Sequence, residues 1–269
     1  MRSLEIVIRT IAVVAIIVFV SSCASKEAKR IMDTADAVMW TRPDSALAAL
    51  KSIDTLNLKA KAQRARYSLL YTMALDRNHR DIPDLRIIKP AASYYERHGS
   101  NDDRMKMYFY LGVAQYDTGD PESAIASYLR AKEYSFHSDN LVSKGIISSS
   151  ISDVYLWNNN NSESILYCKE ACDYFVQAKD SFRLWNTTGL LANRYSNIRD
   201  WAKADSLYSI FFSQPIRDTS IYARQLLNLA WNNIFKPGSD PHESIDLFRK
   251  ATGEFGGTPS LSDYCVYAY

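Results

Sequence analysis

A spacing of 40 residues constrains this chain more than any other feature. Stepping by 40 from Ala124 gives Ser164, Ala204 and Ser244, all small. The same step takes Leu111 to Ile151, Leu191 and Trp231, all apolar, and Asp120 to Asn160, Asp200 and Asp240, all helix-capping types. Tyr128 leads to Cys168, Tyr208 and Phe248, and Ala131 to Ala171, Phe211 and Ala251. Gly112 leads to Ser152, Ala192 and Asn232, small until the last, and Gln115 to Tyr155, Tyr195 and Phe235. Such a period belongs to stacked supersecondary units, none of which can bury its apolar face alone. Nine Gly and eight Pro make tight turns scarce, which favours helices over a many-stranded sheet.

Each column has a physical reason. Small residues stand where the two helices of a pair cross, and aromatics fill the space between one pair and the next. The Asx residue accepts hydrogen bonds from the unpaired N–H groups that open the second helix. Asp240-Pro241-His242-Glu243 adds Pro early in that helix and Glu three residues after the cap. The segment Tyr108-x-x-Leu111-Gly112, Gly119-Asp120-Pro121, Ala124-x-x-x-Tyr128-x-x-Ala131 resembles the tetratricopeptide pattern. Gln115 stands where that pattern has Tyr, with Tyr116 one place late. The resemblance implies an all-α fold, a right-handed α-solenoid of antiparallel helix pairs. The family period is about 34 residues, and a period of 40 also suits HEAT-like pairs, so the solenoid subtype stays open.

The regular repeats occupy residues 100–257. Before them, 23–99 reads as less regular helix pairs: a helix over 27–39, a second carrying Ala46, Leu50 and Ile53, and a long helix over 59–77. Residues 84–98 form the partner of the long helix, stopped by Gly99, with Pro90 inside as a residue that kinks or shortens it. Residues 258–269 read as the start of a further helix, truncated where a polar capping helix is expected.

Residues 1–22 read as a signal peptide. The apolar run 11–20 is too short to span a bilayer, which takes roughly 20 residues, and Arg2 and Arg9 sit before it. Ser21-Ser22-Cys23 then resembles the bacterial lipoprotein signal, which implies cleavage before Cys23, acylation of that residue and a stable membrane anchor. No Asp follows Cys23, so the family's inner-membrane retention cue is absent and the outer membrane, facing the periplasm or the surface, is expected. Ser25-Lys26-Glu27 resembles surface-export tails of Bacteroidetes lipoproteins.

The remaining residues point to binding and not to catalysis. A net charge of +2, without a clustered basic surplus, argues against nucleic acid. No phosphate loop, H-E-x-x-H or G-x-S-x-G is present, and no catalytic residue or cofactor is assigned. Cys168 and Cys172 share a helix face, but His79, His98, His137 and His242 are scattered, so buried thiols are expected and no metal. The tetratricopeptide geometry implies a concave groove lined by first helices, here Lys106, Phe109, Val113 and Tyr116, then Ser149 and Asp153, then Asn186, Asn193 and Asn197, then Asn233. Asn193 and Asn233 lie 40 apart, and an amide can donate and accept at once, so a protein or peptide segment across the two is the expected partner.

Other readings stay open. The lipoprotein start, Arg42-Pro43-Asp44-Ser45-Ala46-Leu47 and the long repeats resemble large Bacteroidetes tetratricopeptide proteins, some of which continue into a signalling output. That implies a sensor input if the chain continues. A glycan-uptake lipoprotein or a helical-repeat enzyme would also use such helix pairs.

Overall fold

The computed structural model describes residues 25–257 and divides into two compact units, meeting in sequence at His137 and Ser138. Cys23, Cys265 and the segments expected over 1–22 and 258–269 lie outside the described residues. All regular structure among the described residues is helical.

In the first unit, α1 (25–38) is followed by α2 (Pro43–Lys51), a short 3-10 turn (Thr55–Asn57), α3 (Lys61–Arg77), α4 (Lys89–His98), α5 (Asn101–Asp117) and α6 (Pro121–Ser135). Its core runs from Met32 and Met39 through Leu50, Leu70 and Ile88 to Met107 and Tyr110, all buried. Pro90 shortens the helix expected over 84–98 and does not kink it. It stands in the first turn of α4, where its missing N–H costs nothing, and 84–88 precede the helix. Gly112 allows the close crossing of α5 and α6, since a Cβ there would lie 2.7 Å from the ring of Tyr128.

The second unit holds α7 (Leu141–Trp157), α8 (Asn161–Gln177), α9 (Ser181–Asn197), α10 (Trp201–Ser213), α11 (Thr219–Phe235) and α12 (Pro241–Arg249), which closes in a π turn (Lys250–Glu254). Trp185 anchors it: its ring stacks on Phe211 with centroids 4.6 Å apart, and its Nε1–H donates to the Phe211 carbonyl at 3.2 Å. Phe211 is the large member of an otherwise Ala column, and it fits because α9 presents Gly189 opposite, where a Cβ would come within 3.0 Å of its ring.

Second helices keep the 40-residue step. Ala124, Ser164, Ala204 and Ser244 are all buried at their crossings. Asp120, Asn160 and Asp200 accept from the N–H three residues on, and Asp240 from His242 N–H. The reciprocal pair, with an acidic side chain bonded back to the cap, forms at Ser100 and Asp103, not at Asp240.

First helices keep the step only in part. Their caps are Ser100, Asn140, Asp180 and Asp218, so α11 begins 38 residues after α9. Counted from the cap, positions 5, 7, 12 and 14 are buried in all four helices; position 12 holds Gly112, Ser152, Ala192 and Ala230. The small column therefore ends at Ala230, and the expected alignments of Trp231, Asn232 and Phe235 slip by two. The cause is local: α10 is short, and the longer loop after α11 restores the register by Asp240. The same pattern reaches back to α3, where Ala65, Thr72 and Ala74 fall on positions 5, 12 and 14.

Tight turns close four of the first helices. His79, Gly119, Asn159 and Arg199 carry positive φ at 40-residue spacing. In each, the next N–H returns five residues: Arg80 to Leu75, Asp120 to Gln115, Asn160 to Tyr155 and Asp200 to Tyr195, at 2.8 to 3.1 Å. In the three later turns that residue is also the cap, so one residue ends the first helix and opens the second.

Candidate binding faces

The ten expected groove residues do not fall in one unit. Lys106, Phe109, Val113 and Tyr116 form one stripe along α5 in the first; Ser149, Asp153, Asn186, Asn193, Asn197 and Asn233 lie on α7, α9 and α11 in the second. On α5, Lys106 and Tyr116 are exposed. Phe109 and Val113 are half-buried and pack against the core, Phe109 with its ring 5.5 Å from that of Tyr128.

In the second unit the first-helix face is polar. A notch of about 160 Å3 lies between α7 and α9, lined by Ile146, Ser149, Ser150, Phe175, Arg183, Asn186 and Thr187. It brings together two residues expected to face a groove, Ser149 and Asn186. Arg183 is held at its edge by Asp180, its Nη1 2.5 Å from Oδ2. The hydroxyls of Ser149 and Ser150 and the amide of Asn186 can each donate and accept.

One turn further along, Asp153 accepts from the guanidinium of Arg194, and their carboxylate and guanidinium link α7 to α9. Arg194 itself is fully buried. Its Nε donates to Ser152 Oγ at 2.7 Å and Ser164 Oγ at 3.0 Å, and its Nη1 to the Leu190 carbonyl at 3.0 Å. The two serines spend their own protons on each other's carbonyls, at 2.7 and 2.8 Å, which leaves their lone pairs for the arginine. Asp153 is thus half-exposed but committed to a structural partner.

Asn193 and Asn233 are not equivalent. Asn193 is thirteen residues past its cap and Asn233 fifteen past its own, about 200° apart around a helix. Asn193 lies beside the buried Tyr208 hydroxyl, which also accepts from Asn232 Nδ2 at 3.1 Å. Burial pushes the Tyr208 phenol above its ordinary range. Asn197 is exposed at the end of α9 and Asn233 half-buried on α11. Asn193 and Asn233 therefore do not present matching contacts along one stripe, whereas Ser149 and Asn186 meet at the notch.

Cys168 is fully buried and Cys172 partly so, and burial pushes their thiols up to about 11 and about 12. No group of three or more His, Cys, Asp or Glu side chains is placed to hold a metal among the described residues. No helix among them is long and apolar enough to cross a membrane. Sequence reading missed Arg194. The signal was present: it stands in a column whose other members are Ala74, Ala114, Val154 and Asn232.

No protein-family model matches the chain. No curated protein matches it either. Solved structures do. The Rap protein complexed with competence and sporulation factor is 14% identical, with a TM-score of 0.65 over 86% of this chain and 67% of that one. BtubC from P. vanneervenii is 13% identical, with a TM-score of 0.54 over 92% of this chain and 91% of that one. At these identities the likeness establishes the fold, an all-α helical-repeat solenoid of tetratricopeptide-like pairs.

Proposed function

We propose that this chain is a membrane-tethered scaffold that takes a protein or peptide segment on the first-helix face of its second unit. The carrying observation is the polar notch between α7 and α9, where Ser149, Ser150 and Asn186 offer paired donors and acceptors. A peptide backbone needs both from its receptor, because each residue brings an N–H and a C=O. The rigid Arg194 network beside the notch holds α7, α8 and α9 together, so the face is formed before a partner arrives. The complex of the Rap protein with competence and sporulation factor supports a bound partner on this fold.

The tether is the lipid on Cys23, of the Bacteroidetes lipoprotein type, at the outer membrane. It keeps the helix pairs at one surface, where even a weak partner meets a high local concentration. Two measurements test the reading. Labelling with a radioactive fatty acid should mark the native protein and not Cys23→Ser. Partners cross-linked in whole cells should be lost from Ser149→Leu with Asn186→Ala, while that variant keeps the native circular dichroism. Retention of the same partners at the same yield would rule out this face.

A further inference from the structure

The pair formed by α3 and α4 departs from its neighbours in a way that opens a cleft. In the pairs α5–α6, α7–α8 and α9–α10 the second helix begins four residues after the first ends, as from Asp117 to Pro121 and from Trp157 to Asn161. Here α3 ends at Arg77 and α4 begins only at Lys89, and it is 10 residues long. The intervening chain is drawn off toward α5, where Ile82 N–H donates to Asp117 at 2.9 Å. The start of α4 is pinned to the middle of α3: Ser68 Oγ donates to the Ile87 carbonyl at 2.5 Å and accepts from Ala91 N–H at 3.3 Å. The rest of the pair is left with a gap.

That gap is two adjoining cavities of about 590 and 330 Å3, both lined by Arg64 and Pro90. Its walls are basic and its floor aromatic. Lys61, Arg64 and Arg97 line it, with the stacked rings of Tyr67 and Tyr71, 5.6 Å apart, and Tyr94. The one acidic lining residue, Glu96, accepts from the hydroxyl of Tyr108 and keeps its charge, so Lys61, Arg64 and Arg97 leave the lining net positive, and Arg86 is paired with Asp84. Arg64 bonds only backbone carbonyls, at 2.7 and 2.8 Å, which leaves its charge uncancelled. Lys61 and Arg97 have no ion pair among the described residues. From Lys61 to Tyr71 the cleft runs about 15 Å, the length of four to five extended residues.

We infer that this cleft is a second binding site, distinct from the notch of the other unit, for a short acidic peptide segment carrying an aromatic side chain. The carboxylates would meet Lys61, Arg64 and Arg97, and the ring would lie against Tyr67 and Tyr71. An extended chain fits the elongated, open shape better than a compact solute, which needs an enclosing pocket.

The test is fluorescence anisotropy on the full-length protein in detergent with fluorescein-labelled Glu-Asp-Glu-Phe-Glu-Asp-Glu and its amide analogue Gln-Asn-Gln-Phe-Gln-Asn-Gln. The acidic peptide should bind, with an affinity that falls at least tenfold between 50 and 300 mM salt, roughly as counterion screening requires. Lys61→Glu with Arg97→Glu should weaken it at least tenfold. Both side chains are exposed, so an unchanged melting curve will separate lost binding from lost folding. Asn186→Ala should leave this binding unchanged, which separates it from the function proposed above. Equal binding of the two peptides, no binding of the acidic one, or no effect of the double variant would overturn the inference. So would tighter binding of a single-stranded 12-mer oligonucleotide, which would make the cleft a general polyanion site.

Discussion

Arg194 on α9 donates to Asp153 on α7 from a position where the other first helices hold Ala74, Ala114, Val154 and Asn232. A guanidinium in a column of small and apolar side chains is tolerated because two serines, a backbone carbonyl and a carboxylate receive it. The carboxylate end reaches solvent, so the pair is not desolvated on both sides.

The two partners should therefore differ in cost. Arg194→Ala strips the acceptors of Ser152 and Ser164 and leaves a hole, and should destabilise by about 3 kcal/mol. Asp153→Ala takes the carboxylate from the buried guanidinium, but water can enter where that half-exposed carboxylate stood, so it should cost less, about 1–2 kcal/mol. Urea unfolding followed by circular dichroism checks both. Equal losses would mean that the ion pair, and not the serine network, holds α7, α8 and α9.

The slipped register of α11 makes a second prediction. If position 12 from the cap is the small column, Ala230→Leu must push α11 off its neighbours and cost about 1–3 kcal/mol. Asn233→Leu, at a half-exposed position, should stay within about 0.5 kcal/mol. A cost for Ala230→Leu no larger than that for Asn233→Leu would mean that Ala230 does not stand at the close crossing.

Much of this fold was legible in the sequence because second helices begin with Asx caps and cross at small residues, and both leave a mark in the residue type. The long helix ending at Arg77 could be read from its apolar periodicity, and the stop at Gly99 from glycine as a helix breaker. What could not be read is set by loops. Nothing in the residues from Gln214 to Asp218 marks a shortened repeat, yet that change alone separates Asn193 from Asn233. Pro90 was ambiguous because proline both breaks a helix interior and opens a helix start. The α3–α4 cleft was invisible because it arises from where Ile82 is tied, a tertiary contact with Asp117.

Three non-glycine turn residues carry strain that can be removed. Asn159, Lys179 and Arg199 have φ of 56°, 55° and 61°, in the left-handed region where a Cβ is unfavourable. Gly119 occupies the place equivalent to Asn159 and Arg199 in the first regular pair. Lys179→Gly and Arg199→Gly should each stabilise by about 0.5–1 kcal/mol, and Asn159→Gly by less, since Asn tolerates this region. Melting temperatures of the three single variants check this; a fall in any would show that the lost side chain outweighs the relieved backbone.

Alkaline pH should unfold this protein through its buried neutral acids. Burial holds the Cys168 thiol at about 11 and the Cys172 thiol at about 12, against an ordinary value of 9.0. It holds the Tyr110 phenol at about 12, against 10.0. Between the ordinary and the raised values the unfolded chain has released these protons and the folded chain keeps them. The unfolded state then binds fewer protons, and stability falls as pH rises. The loss should begin near pH 9 from the thiols, steepen near pH 10 as the phenol joins, and continue to about 12. Urea midpoints from pH 7 to 11 measure it. Cys168→Ala with Cys172→Ala should flatten the curve between pH 9 and 10, and Tyr110→Phe should lessen its slope only above 10. In a chain with Cys23 and Cys265 replaced by Ser, the two remaining thiols should react with a thiol reagent at pH 8 only after unfolding. A flat stability curve to pH 11, or rapid labelling of the folded chain, would show that the α8 thiols are open to solvent.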